Sequence, residues 1–208
     1  MINVLLCGEG VTEYGRIGKD GVLQVLMLKC VGGKELSFVV RTRGDIKRYN
    51  ILPIRNNSGD LTARKIAAMA KQADCRHIAY HRDEDNQGFR EMYAQVEAYF
   101  SVAREKGMKC VAVVPVHMTE SWLLADEKAF RSTPTKPALP KKPEETWGNP
   151  DSRNHPKKYL ERVLEQFEME RNAESMAEIA EKIDVEILKK KCKSFECFCG
   201  DMERFIRD

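Results

Sequence analysis

The chain has 208 residues, 42% hydrophobic and 32% charged, a balance that suits one folded core with a small appendage and excludes intrinsic disorder. Its formal net charge of +3 and sequence pI near 8.4 are too mild to diagnose nucleic-acid binding from charge alone. No apolar run approaches the roughly 18 residues of a membrane span, and no basic region with an apolar stretch and cleavage site opens the chain, so a cytoplasmic protein is expected.

In chain order, Ile2-Asn3-Val4-Leu5-Leu6-Cys7 reads as a buried strand, and Gly8 and Gly10 permit a tight turn or a close backbone approach. Gly21 to Cys30 is apolar enough for a buried helix, and Leu36 to Arg41 suits another strand. Leu61 to Ala73, after Ser58-Gly59-Asp60, has the spacing of an amphipathic helix. His77-Ile78-Ala79-Tyr80-His81 is an apolar run that ends in Arg82-Asp83-Glu84-Asp85-Asn86. Phe89, Met92, Tyr93, Val96, Phe100 and Ala103 form one helical stripe, which reads as packing on a sheet. Lys109 to Val116 reads as a further strand stopped at His117, and Thr119 can cap a helix from Glu120 to Phe130.

This alternation of strands and helices predicts an α/β protein, with a parallel or mixed sheet sandwiched by helices in three layers. Composition then changes. Six of the eight prolines lie between Ser132 and Pro156, so residues 132–156 are expected to be a loop, lid or linker between an α/β domain (1–131) and a C-terminal helical subdomain (157–208). Lys136, Lys141, Lys142, Arg153, Lys157 and Lys158 crowd that proline-rich stretch, and Arg41, Arg43, Lys47 and Arg48 crowd another; each patch alone fits a solvated surface as well as a phosphate-tracking one. Trp147, an aromatic among lysines, suits base stacking or, more simply, covering the helical part. The seven cysteines are scattered mostly through apolar segments and read as reduced thiols; Cys192, Cys197 and Cys199 cluster without the spacing of a zinc site.

Two acidic clusters carry the functional signal. Glu9 and Glu13 follow the first strand, and Asp83 and Asp85 follow a later one. A buried strand that ends in carboxylates aims them at the sheet edge where α/β proteins place their chemistry. In an extended segment Asp83 and Asp85 point to one face roughly 7 Å apart, a spacing that suits magnesium or a pair of ions. The alternative is a salt-bridge network in which Arg16, His81 or Arg82 offsets the charge, because two carboxylates about 4 Å apart repel by roughly 4 kcal/mol at an effective dielectric of 20. Phosphate loops are not supported: Glu13 occupies the third glycine position of GxGxxG, and no GxxxxGK[ST] is present. His81 and His117 end predicted strands near this edge; magnesium prefers oxygen, so a hydrogen-bonding role is the simpler expectation for both.

An apolar strand ending in Glu9-Gly10-Val11-Thr12-Glu13, followed by one ending in Asp83-Glu84-Asp85, resembles the Toprim domain of topoisomerases, primases, recombination-repair proteins and overcoming-lysogenization-defect nucleases. The run Pro115-Val116-His117-Met118-Thr119-Glu120-Ser121-Trp122-Leu123-Leu124-Ala125-Asp126 resembles a small uncharacterised Toprim-related family found beside ATPases in mobile or defence loci. So do Pro156-Lys157-Lys158-Tyr159-Leu160 and Cys192-Lys193-Ser194-Phe195-Glu196-Cys197-Phe198.

The resemblance implies a Toprim-like, Rossmann-like sheet with a C-terminal helical extension and magnesium- or manganese-dependent cleavage of DNA or RNA. It makes Glu9, Asp83 and Asp85 catalytic, with Glu9, Glu13, Asp83, Asp85 and Glu120 around the metals. Arg153, Lys157 and Lys158 would contact nucleic acid, and an ATPase would be the protein partner. One departure is that no lysine or arginine is securely placed as a transition-state clamp, unless Lys157 or Arg153 folds over the site. The alternatives are a non-catalytic module that binds nucleic acid or the ATPase, and a phosphotransfer enzyme acting on a small nucleotide.

Overall fold

A computed structural model describes residues 1–10, 14–15, 19–51, 60–84, 87–131 and 155–207. Strands β1 (Ile2–Gly8), β2 (Leu36–Thr42), β3 (His77–His81) and β4 (Lys109–Val113) form one sheet in the order β2-β1-β3-β4, with every neighbouring pair parallel. A parallel sheet must be covered on both faces, and side chains alternate between them along each strand. Val4 and Leu6 of β1, Ala79 of β3, and Val111 and Val113 of β4 face one core; Leu5, Cys7, Ile78, Tyr80 and Ala112 face the other. Each fully buried valine or leucine contributes about 1.5–3 kcal/mol, which makes the two-sided burial of β1 a main source of stability.

The second core is closed by α2 (Arg43–Arg48), α3 (Leu61–Gln72), α4 (Phe89–Tyr99) and α5 (Ser101–Glu105). The first is closed by α1 (Val22–Cys30), α6 (Thr119–Leu123), α7 (Glu127–Arg131), α8 (Pro156–Gln166), α9 (Ala173–Lys182), α10 (Val185–Lys191) and α11 (Lys193–Phe205). The protein is thus a three-layer α/β fold with a C-terminal helical part. That part is continuous with the sheet: Leu160, Val163, Met176, Phe195 and Phe198 share one core with Val4 and Leu6. Helix α1 touches both α9 and α11 and shares the core of β1, which explains why Val22 to Met27 are all buried.

Local chemistry sets the helix starts. Asp60 accepts the Thr62 N–H of α3 at 2.6 Å, Asn172 accepts Ser175 N–H of α9 at 2.9 Å, and Asp184 accepts Glu186 N–H of α10 at 2.9 Å. Thr42 and Asp45 form a reciprocal capping box at α2. The helix expected from Glu120 to Phe130 is instead two, α6 and α7. Asp126 divides them: its Oδ1 accepts Lys128 N–H at 3.0 Å, starting α7, while its Oδ2 accepts Asp184 N–H at 2.9 Å. The Phe89–Ala103 stripe likewise divides at Phe100 into α4 and α5.

Candidate functional site at the carboxyl edge of the sheet

The chain lays down β1, crosses to β2 on one side and then to β3 on the other. The crevice beyond the carboxyl ends of β1 and β3 is therefore the topological switch point, where open α/β sheets take their ligands. Gly8 is the last residue of β1 and pairs with Thr42 of β2 and His81 of β3. Its φ is +133°, and a Cβ there would stand 1.9 Å from the His81 carbonyl oxygen. Only glycine lets the two strand ends close to this distance. The next residue, Glu9, donates its backbone N–H to that same carbonyl at 3.0 Å.

His81 organises the crevice. Its side chain is fully buried, with Nδ1 2.7 Å from the Glu9 carbonyl oxygen and Nε2 3.2 Å from Asp83 Oδ1 and 3.1 Å from Thr119 Oγ1. A carbonyl only accepts, so Nδ1 carries a hydrogen. Nε2 then accepts from the Thr119 hydroxyl in the neutral ring, or donates to Asp83 in the imidazolium. One imidazole thus ties together the ends of β1 and β3 and the start of α6. The Glu9 and Asp83 side chains remain partly open to water, at 18% and 21% exposure.

Arginine enters from β2. One step past the Gly8–Thr42 pairing, Arg43 donates from its guanidinium to the Glu9 carboxylate. Glu84 points inward and holds two loops together. Its Oε1 accepts Gly88 N–H at 2.6 Å and its Oε2 accepts His117 N–H at 3.1 Å, with His117 in the left-handed region at φ +60°. Glu120, in the first turn of α6, is buried and ion-paired to Arg171, which also lies 3.9 Å from Glu161 of α8. The structure therefore commits Glu120 to the C-terminal helices. Lys157 and Lys158 are exposed on the first turn of α8, one turn before Glu161. Glu13, Asp85 and Arg153, with Trp147, lie outside the described residues.

The sequence motifs around α6 and α11 are scaffold for this edge. Ser194 Oγ accepts Trp122 Nε1–H at 2.9 Å and Val116 N–H at 3.4 Å. Trp122 stacks on Phe198 at 5.5 Å and meets Phe195 edge-on at 5.0 Å. The loop that carries His117 and Thr119 is thereby clamped to α11. Cys192 and Cys199 are buried and Cys197 is exposed. Burial pushes the Cys7 thiol and the Tyr80 phenol well up from their usual values, so neither offers an anionic nucleophile beside the site.

Glu9 and Asp83 are hard oxygen donors on adjacent strand ends, a donor chemistry that fits magnesium or manganese. Among the described residues, no three histidine, cysteine, aspartate or glutamate side chains stand together as a metal-holding group. Clefts of about 590 Å³ and 960 Å³ share Gly15, Lys19 and Asp20 and are not lined by Glu9 or Asp83.

The family described as "Domain of unknown function (DUF4276)" matches residues 55–203, most of the chain. The chain belongs to the DUF4276 family. No curated protein and no solved structure matches it. The DUF4276 match takes in Asp83, Glu84, His117, Glu120, Arg171 and Ser194, whereas Glu9 and Arg43 precede it. Sequence reasoning placed Glu9 and Asp83 at this edge but did not single out Arg43, Glu84 or Arg171. For Arg43 the only signal was its place in a basic patch; its partner follows from the register of β1 on β2, which no local pattern encodes.

Proposed function

We propose that this DUF4276 protein is a magnesium- or manganese-dependent nuclease of the Toprim type that hydrolyses phosphodiester bonds in DNA or RNA. The observation that carries the reading is the placement of Glu9 and Asp83 on adjacent parallel strand ends at the switch point, joined through His81. Glu9 and Asp83, with Asp85 and Glu13, would hold the cation, which would supply a Lewis acid at the phosphate and a more acidic water. Glu9 would either take the proton of the attacking water as the new P–O bond forms, with solvent protonating the leaving oxygen as the old bond breaks, or itself protonate that leaving oxygen, with solvent taking the water's proton. His81 fixes the Asp83 carboxylate and the Glu9 main chain. Glu120, buried and paired to Arg171, would anchor the C-terminal helices beside Thr119 rather than hold the metal. Lys157 and Lys158, exposed on α8, would track the nucleic-acid backbone together with Arg153. A cytoplasmic location, with an ATPase partner in a defence or mobile-element setting, completes the proposal.

The test is cleavage of labelled DNA and RNA, single- and double-stranded, in EDTA, magnesium or manganese, with Asp83→Ala beside the wild type. Metal-dependent cutting that the variant loses by at least about a hundredfold is expected. A folded wild type that cuts nothing under any metal removes the nuclease reading. The second reading, a non-catalytic module that binds nucleic acid or the ATPase, is favoured by the ion pairs that already occupy Glu9 and Glu120. Binding without turnover would support it.

A further inference from the structure

Arg43 stands one register step beyond the last β1–β2 pair, directly beside the Glu9 carboxylate. Two neighbouring arginines have other engagements. Arg41 folds back on the Val40 carbonyl at 2.8 Å and Arg48 pairs with Asp45 at 3.0 Å. The Arg43 side chain is 51% exposed, against 18% for Glu9, so the arginine can swing outward while the carboxylate stays in the crevice.

We propose, building on the nuclease reading above, that Arg43 is a charge latch. It neutralises Glu9 in the metal-free protein; a divalent cation at Glu9 displaces it, and the freed guanidinium then takes a phosphate oxygen of the bound DNA or RNA backbone. Two physical requirements lead there. A guanidinium and a divalent cation on one carboxylate repel each other, so each weakens the other's hold. A planar guanidinium released at the mouth of the crevice has the fork geometry that binds phosphate oxygens in pairs, which a lysine lacks.

The experiment measures manganese affinity by calorimetry and by the electron paramagnetic resonance of free manganese, on the full chain, for wild type, Arg43→Ala and Arg43→Lys. Binding of a labelled oligonucleotide is measured in parallel, with calcium in place of the active metal. Removing the competing cation in Arg43→Ala is expected to tighten manganese binding by roughly threefold to tenfold, and to weaken oligonucleotide binding by about tenfold. Arg43→Lys keeps the charge and loses the fork, so its manganese affinity stays near wild type while its oligonucleotide binding falls.

Manganese affinity unchanged or weaker in Arg43→Ala, or oligonucleotide binding unchanged, overturns the latch. A wild type that binds no manganese at all overturns the metal reading beneath it. The two failures are therefore separable.

Discussion

Gly8→Ala tests whether the crevice depends on one close backbone contact. The new Cβ would stand 1.9 Å from the His81 carbonyl oxygen and 2.8 Å from its carbon, both main-chain atoms in the neighbouring strand. Neither can rotate away as a side chain would. The residue must also keep φ near +133°, a region that costs a non-glycine residue about 1–3 kcal/mol. Forcing strands apart in a packed core adds about 1–3 kcal/mol. Together these give roughly 2–6 kcal/mol, against a total stability of about 5–15 kcal/mol. For a chain of this size that is a fall in Tm of about 5–20 °C, measurable by circular dichroism with urea titration as a second probe. Gly32→Ala is the control, because Gly32 also has positive φ, +57°, but its Cβ would meet nothing within 4 Å; it should lose only about 1–2 kcal/mol. If Gly8→Ala is no more destabilising than Gly32→Ala, the close approach is not what holds β1 to β3 at this edge.

Two further outcomes follow from the site's scaffold. Arg171→Ala leaves the buried Glu120 without its cation and should cost about 3–5 kcal/mol; adding Glu120→Gln should recover about 1–3 kcal/mol, read as the coupling in a double-mutant cycle by chemical denaturation. Asp45 is held below its ordinary value of 3.8 chiefly by the hydrogen bond from the Thr42 side chain, then by that from the Thr42 main chain. A depressed carboxyl stabilises the fold above its unfolded value and loses that contribution as pH falls through its folded one. Asp45→Asn should therefore flatten the urea-midpoint profile below about pH 3.8 and change it little in shape near neutrality. An unchanged acid limb would show that the capping box of α2 contributes nothing there.

Much of this architecture was legible along the chain because it depends on local periodicity. The apolar runs Ile2–Cys7 and Lys109–Val116 could be read as strands, observed at Ile2–Gly8 and Lys109–Val113, the stripe through Met92 and Val96 as a helix on a sheet, and Glu9 and Asp83 as carboxylates at strand ends, since each pattern is written within a few residues. What separates in sequence but meets in space was not legible. Asp126 breaks one expected helix into two because it also serves Asp184, 58 residues away. The C-terminal helices share the core of β1 because their apolar faces had nowhere else to be buried. The strand order β2-β1-β3-β4, parallel throughout, makes one edge a switch point and brings Arg43 onto Glu9 and His81 between Glu9 and Asp83. Side-chain periodicity fixes which face of a strand is apolar, but strand pairing is a choice of neighbour made by the whole core. The sequence by itself therefore determined the strands, the apolar helical stripes and the acidic strand ends, and only the tertiary structure decided where helices break and which charges meet.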